Sequence, residues 1–266
     1  MAVDFAAFSG LSNVGFKMKT NEDYILMNQD DYGGEYLLAC VADGSGSKES
    51  MFRPASIVVG EVDGMLKRFY KKAPELFRTH ARILLEEAFL SANNTLIGFK
   101  LGNEEERYGF ASTLTAALIS RDGVLTFAHA GNTRLYLIRD ARTLQLTKDH
   151  TEGQKLVDKG VITEEAYYTA IERLSLNNGL GISPEPTVQT ARVPLKKNDV
   201  IIMTSDGIHY SYRSEAFFEI LMKTETMDDA AHEMIKTALD LKNYPDNASV
   251  NVIWYLGKPD EDEDEE

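Results

Sequence analysis

The chain has 266 residues, 43% of them hydrophobic and 26% charged, with a net charge of −14; this is globular composition with apolar material for a large core. The seven acids from Asp260 to Glu266 supply half of that charge, and no cluster of Lys and Arg is present to neutralise a phosphate backbone, which excludes a nucleic-acid partner. A single cysteine, Cys40, excludes an internal disulfide and fits a reducing compartment; with no leader-like N-terminus and no apolar run near the roughly 18 residues needed to span a bilayer, the expectation is a soluble, cytoplasmic protein without a membrane partner.

Residues 5–30 hold short apolar pieces around the adjacent acids Glu22-Asp23, which precede a short strand-like run. Tyr32-Gly33-Gly34 makes a hairpin-type link into Leu37-Leu38-Ala39-Cys40-Val41-Ala42, an unbroken apolar run ended by Asp43-Gly44-Ser45-Gly46. Such a run reads as a strand covered on both faces, with Cys40 a buried, inert thiol. An ionised carboxylate at the rim of a dry core is costly unless a cation or hydrogen-bond donors meet it. After Gly46 the period becomes helical: Ala55, Val58, Val59, Val62, Met65, Leu66 and Phe69 recur at three- and four-residue spacing, with Pro54 near the first turn. A second helix starts near Pro74 and carries its stripe from Phe77 to Leu96, which leaves His80 on its surface. The two helices are expected to lie antiparallel on the sheet that holds the 37–42 strand.

Residues 111–147 read as a meander, with Asp122-Gly123 as one hairpin turn and Gly131-Asn132 as a second. Strands joined by short turns form antiparallel sheets. Residues 151–174 are helical and more polar, with Thr151 and Gln154 as a capping box and Gly160 as a stop; with the loop to Pro186 they form a surface flap around 151–186. Strands follow at 188–193 and 200–204, helices at 215–223 and 228–241, and a last strand at 250–255. The second apolar run, Val200-Ile201-Ile202-Met203, leads through Thr204-Ser205 to Asp206-Gly207. Asp-Gly alone is a turn signal. Two such pairs after buried strands can set two carboxylates side by side at one sheet edge, which is how an oxygen site for a hard divalent cation is built. The order implies an α+β fold in which two antiparallel sheets pack together with helix pairs outside, a single domain over residues 1–258, and a disordered acidic tail at 259–266.

Four separated segments, Asn21-Glu22-Asp23, Val41-Ala42-Asp43-Gly44-Ser45-Gly46, Ser205-Asp206-Gly207 and Asp246-Asn247, stand in an order and spacing similar to those of the metal-dependent protein serine/threonine phosphatases of type 2C. Ala111-Ser112-Thr113, Ala130-Gly131-Asn132-Thr133-Arg134 and Leu146-Thr147-Lys148-Asp149-His150-Thr151 support the resemblance, which covers roughly residues 8–256. It implies a four-layer αββα sandwich and a site for two Mn²⁺ or Mg²⁺ ions. Asp43 would bridge both ions, with Glu22 and the Gly44 carbonyl on one and Asp206 and Asp246 on the other. Asp23 and Asn247 would act from behind these ligands. The implied reaction is direct attack of a metal-bridging hydroxide on phosphorus, with Asp43, Asp206 and Asp246 as the catalytic acids and a phosphoprotein modified by a Ser/Thr kinase as substrate.

Rival phosphate chemistries lack their residues. A cysteine phosphatase needs an arginine six residues after its thiolate, where this chain has Gly46, and Gly44-Ser45-Gly46-Ser47-Lys48 lacks the P-loop spacing. The chain also departs from the family. Met18 stands where an arginine usually grips phosphate, leaving Lys17 or Lys19 as point-charge substitutes. No histidine follows Gly44 within residues 45–48, with His150 a weak replacement, and Asn132 stands in place of an aspartate. These departures carry an alternative: a phosphatase-like module of low activity that binds phosphopeptides and regulates.

Overall fold

The computed structural model describes residues 5–46, 52–102 and 109–258. The expected acidic tail and the Ser47-Lys48 comparison lie outside the described residues. Among the described residues, eleven strands form two antiparallel sheets. The first has the order β1 (Ala6–Asn13), β11 (Ala248–Tyr255), β10 (Val200–Thr204), β7 (Arg134–Arg139), β8 (Arg142–Gln145). The second has the order β2 (Asp23–Asn28), β3 (Tyr36–Ser45), β5 (Leu114–Ser120), β6 (Val124–Ala130), β9 (Gln189–Pro194), with β4 (Ala111–Ser112) pairing to β3.

The apolar runs are continuous because each face of these strands meets a different partner. On β3, Leu38, Cys40 and Ala42 pack under α1 (Pro54–Lys72) and α2 (Pro74–Gly102), whereas Leu37, Ala39 and Val41 face the other sheet. On β10, Ile201 and Met203 join the intersheet core, and Ile202 faces α6 (Glu215–Leu221) and α7 (Met227–Leu241). The layers are therefore helix pair, sheet, sheet, helix pair, the αββα sandwich that the sequence implied. Cys40 is fully buried, and burial pushes its thiol pKa up. Among the described residues no helix is long and apolar enough to cross a membrane.

Three local expectations are corrected. Residues 131–133 do not close a hairpin: β6 belongs to one sheet and β7 to the other. Both sides of β6 are already occupied, by β5 and β9, so the chain must cross over. Gly131 has φ +117°, and a Cβ there would sit 2.5 Å from Thr113. Second, β1 is a full strand, held by eight residue pairings with β11. Third, the two Asp-Gly pairs behave differently: β3 runs on through Asp43-Gly44 to Ser45, whereas Asp206 opens α5 (Asp206–His209).

The flap contains α3 (Glu152–Asp158), α4 (Glu164–Tyr167) and a 3-10 turn at Ile171–Leu174. Thr151 caps α3 by accepting from Gln154 N at 3.1 Å, but the Gln154 side chain turns to Asp158 instead of completing the box. The segment is anchored as well as superficial. Tyr167 is buried and donates to Asp149 at 2.5 Å, and Asp149 also takes a two-pronged ion pair from Arg134 at 2.8 and 2.7 Å.

Candidate metal centre

The end of β3, the start of α5 and the segment before β11 meet at one edge of the sandwich. There Asp43, Gly44, Asp206, Tyr244 and Asp246 line a cavity of about 220 Å³. Leu174, Leu176 and Ile182 of the flap add apolar surface to its lining. Asp43, Asp206 and Asp246, far apart in sequence, thus line one cavity.

Main-chain bonds fix Asp43. Its N–H donates to Thr113 Oγ1 at 3.1 Å, and its carbonyl accepts from Thr113 N at 2.9 Å and Ser112 Oγ at 3.1 Å. Its side chain is free of those duties and reaches the cavity. Gly44 N donates to Glu22 O at 3.2 Å, and a Cβ on Gly44 would press within 3.0 Å of both Glu22 O and Ala55 N. That close approach brings Glu22 beside Asp43, although Glu22 does not line the cavity itself. Asp23, paired in register with Asp43, lies behind it and accepts from Ser205 Oγ at 2.7 Å and Ser249 Oγ at 2.6 Å. Ser205 Oγ also accepts from Ser249 N at 3.0 Å, and α5 starts without a side-chain cap. Asn247 staples the 14–22 loop: its Nδ2 donates to Val14 O at 2.9 Å and Thr20 O at 3.0 Å, and its Oδ1 accepts from Glu22 N at 2.8 Å.

The acids repel one another. Burial, and then the carboxylates of Asp206, Asp23, Asp246 and Glu22, hold Asp43 well above the ordinary carboxylate range. Burial, reinforced by Asp246 and Asp23, pushes Asp206 up to about 8. Asp23 is pushed up to about 7, again chiefly by burial, against the opposing pull of the Ser249 and Ser205 hydroxyls. Burial also raises Asp246. Two oxygens, Asp206 Oδ1 and Asn132 Oδ1, are buried with no hydrogen-bond partner. An orphaned carboxylate oxygen beside mutually repelling carboxylates is a donor set that suits a hard divalent cation. Among the described residues no group of three or more His, Cys, Asp or Glu is gathered closely enough to hold a metal ion; Asp43, Asp206 and Asp246 share one cavity without being drawn into a single cluster.

Lys17 and Lys19 are exposed and do not line the cavity. Arg53, which the sequence reading passed over, brings its guanidinium to 3.9 Å from Glu22 Oε1. Its one sequence signal is its place just before Pro54, where α1 begins. His150 stays outside the cavity: its Nδ1 meets Gly131 N at 3.1 Å and Asn178 Nδ2 at 2.7 Å, bracing the crossover.

The protein phosphatase 2C family model matches residues 18–240. The serine/threonine protein phosphatase PstP of Mycobacterium tuberculosis is 34% identical over 167 residues, which cover 62% of this chain and 32% of that relative, so the match spans about a third of the relative's length. The crystal structure of the M. tuberculosis PstP/Ppp phosphatase superposes with a TM-score of 0.78 at 26% identity, covering 94% of this chain and 98% of that one. The PstP catalytic domain in complex with two manganese ions superposes at 0.77 with 25% identity, covering 94% and 97%. On the family match over most of its length, the chain belongs to the protein phosphatase 2C family.

Proposed function

We propose that the protein hydrolyses phosphoserine and phosphothreonine in phosphoproteins with the help of two divalent cations, Mn²⁺ or Mg²⁺. The observation that carries this reading is the convergence of Asp43, Asp206 and Asp246 on one cavity, with an unpartnered carboxylate oxygen among them. The two manganese ions of the PstP catalytic domain support it. Glu22, Asp43, the Gly44 carbonyl, Asp206 and Asp246 would hold the cations. When bound, such ions lower the pKa of water and neutralise phosphoryl charge.

The chain's own residues do the rest. Asp23, held by two serine hydroxyls, supplies a buried carboxylate behind Asp43. Asn247 fixes the loop that carries Glu22. Arg53 does not line the cavity, but its guanidinium lies 3.9 Å from Glu22 Oε1, and on this reading it reaches from there to phosphoryl oxygens. Leu174, Leu176 and Ile182, exposed beside the cavity, offer an apolar surface to the residue next to the phosphorylated one. Cys40 is sealed in the core, and Ser112 Oγ donates to two carbonyls. On this reading water attacks phosphorus directly, as the family resemblance implies.

A second reading, a phosphopeptide-binding regulatory module, is favoured by one observation. Among the described residues lining the cavity there is no His, Lys or Arg, and loss of a general acid costs about 10²–10⁴-fold in rate. Turnover of a phosphothreonine peptide, measured with Mn²⁺, with chelator and in Asp43→Ala, separates the two. The enzyme reading expects turnover that needs both Mn²⁺ and Asp43. Tight peptide binding with no turnover above the Asp43→Ala control establishes the module instead.

A further inference from the structure

Tyr244 lines the same cavity as the three aspartates, two residues before Asp246. Its hydroxyl donates to Asp206 Oδ2 at 3.4 Å. Asn132 Nδ2 donates to the same oxygen at 3.3 Å, and Asp206 Oδ1 is left buried without a partner. Rotation of a carboxylate about its last bond is soft, with broad, roughly two-fold wells. Two donors on one oxygen restrain that freedom and leave Oδ1 as the oxygen without a partner.

The phenol is itself held in place. Tyr244 meets Tyr210 edge-on, with ring centroids 5.4 Å apart and planes at 90°. Tyr210 donates to Arg173 O at 3.0 Å and carries the Arg173 guanidinium 4.7 Å from its ring centroid. The hydroxyl therefore reaches Asp206 from a ring packed against a residue that the flap clamps.

We infer that Tyr244 is a positioning residue which, with Asn132, turns Asp206 so that Oδ1 is offered to a divalent cation. This rests on the metal-dependent reading above. Removing a hydrogen-bonding partner of a metal-ligating side chain typically weakens metal binding about 10–100-fold. The test is calorimetric titration of the full chain with Mn²⁺ in the wild type, Tyr244→Phe, Asn132→Ala and Asp206→Asn, with melting temperatures taken in chelator. Tyr244→Phe is expected to weaken Mn²⁺ binding about tenfold while its melting temperature in chelator stays close to that of the wild type. A merely structural tyrosine would move the melting temperature and spare the affinity. If Asp206→Asn loses Mn²⁺ binding but Tyr244→Phe and Asn132→Ala both stay within about twofold of the wild type, against the shift expected of such partners, the positioning role is overturned and the metal reading stands. If the wild type binds no Mn²⁺, both fall.

Discussion

Gly207 offers a sharp test of how rigidly the site is built. It follows Asp206 in the first turn of α5, and a Cβ there would lie 1.9 Å from Asn247 O and 2.8 Å from its carbonyl carbon. These are backbone atoms, so no flexible side chain can swing away, and contacts under 3.0 Å are essentially never adopted. In Gly207→Ala the start of α5 and the 246–247 segment must separate by about 1 Å, and these two pieces carry Asp206 and Asp246. A misplacement of about 1 Å can cost about 10²-fold in rate, and forcing extra atoms into a packed site costs about 1–3 kcal/mol. Mn²⁺-dependent hydrolysis of a phosphothreonine peptide should therefore fall about 100-fold in kcat/KM, with a melting temperature lower by a few degrees. Gly60→Ala is the control: Gly60 lies exposed in α1 with nothing within 4 Å of its added Cβ. That change should leave the rate alone and add about 0.5–1 kcal/mol of stability. A Gly207→Ala protein that keeps wild-type activity would refute the idea that the two aspartates are locked at one spacing.

Three further outcomes are expected. Arg53→Ala should raise KM for the phosphopeptide about tenfold with a smaller change in kcat, and Arg53→Lys should recover only part of the loss, since lysine lacks the planar fork; an unchanged KM removes Arg53 from phosphate binding. Asp23 and Asp206 bind protons more tightly when folded, at about 7 and about 8 against the ordinary 3.8, so the folded chain holds more protons than the unfolded one between those values and stability falls as pH rises. In chelator the melting temperature should drop from pH 5 to pH 8, with Mn²⁺ narrowing the gap; a rise over that range contradicts the raising of these two acids by burial and, after it, by their neighbouring carboxylates. Leu174→Ser with Ile182→Ser should raise KM for peptides carrying an aliphatic residue beside the phosphothreonine more than for peptides with a polar one there, as initial-rate kinetics on the two peptides will show.

Asp43 and Asp206 were legible because each ends an apolar run too long to be half-exposed, and an acid at that point calls for a partner. The layer order was legible for the same reason: β3 and β10 are apolar on both faces because a sheet and a helix pair cover them. β1 was not, since Ala6-Ala7-Phe8-Ser9-Gly10-Leu11-Ser12-Asn13 mixes small and polar residues and owes its extended form to pairing with β11. The crossover at 131–133 was misread because Gly-Asn is a hairpin signal, and only the occupied flanks of β6 forbid the hairpin. Arg53 carries only its place before Pro54, and Tyr244 no local pattern. They matter through what lies beside them in space, Glu22 for the first and Asp206 for the second.

Crystals grown with Mn²⁺ and measured at the manganese absorption edge test the central claim most directly. Two anomalous peaks should appear in the cavity between Asp43, Asp206 and Asp246, one of them on the Glu22 side of Asp43. A cavity without anomalous density, or manganese bound only elsewhere on the chain, would contradict the assignment of these acids as a two-cation centre.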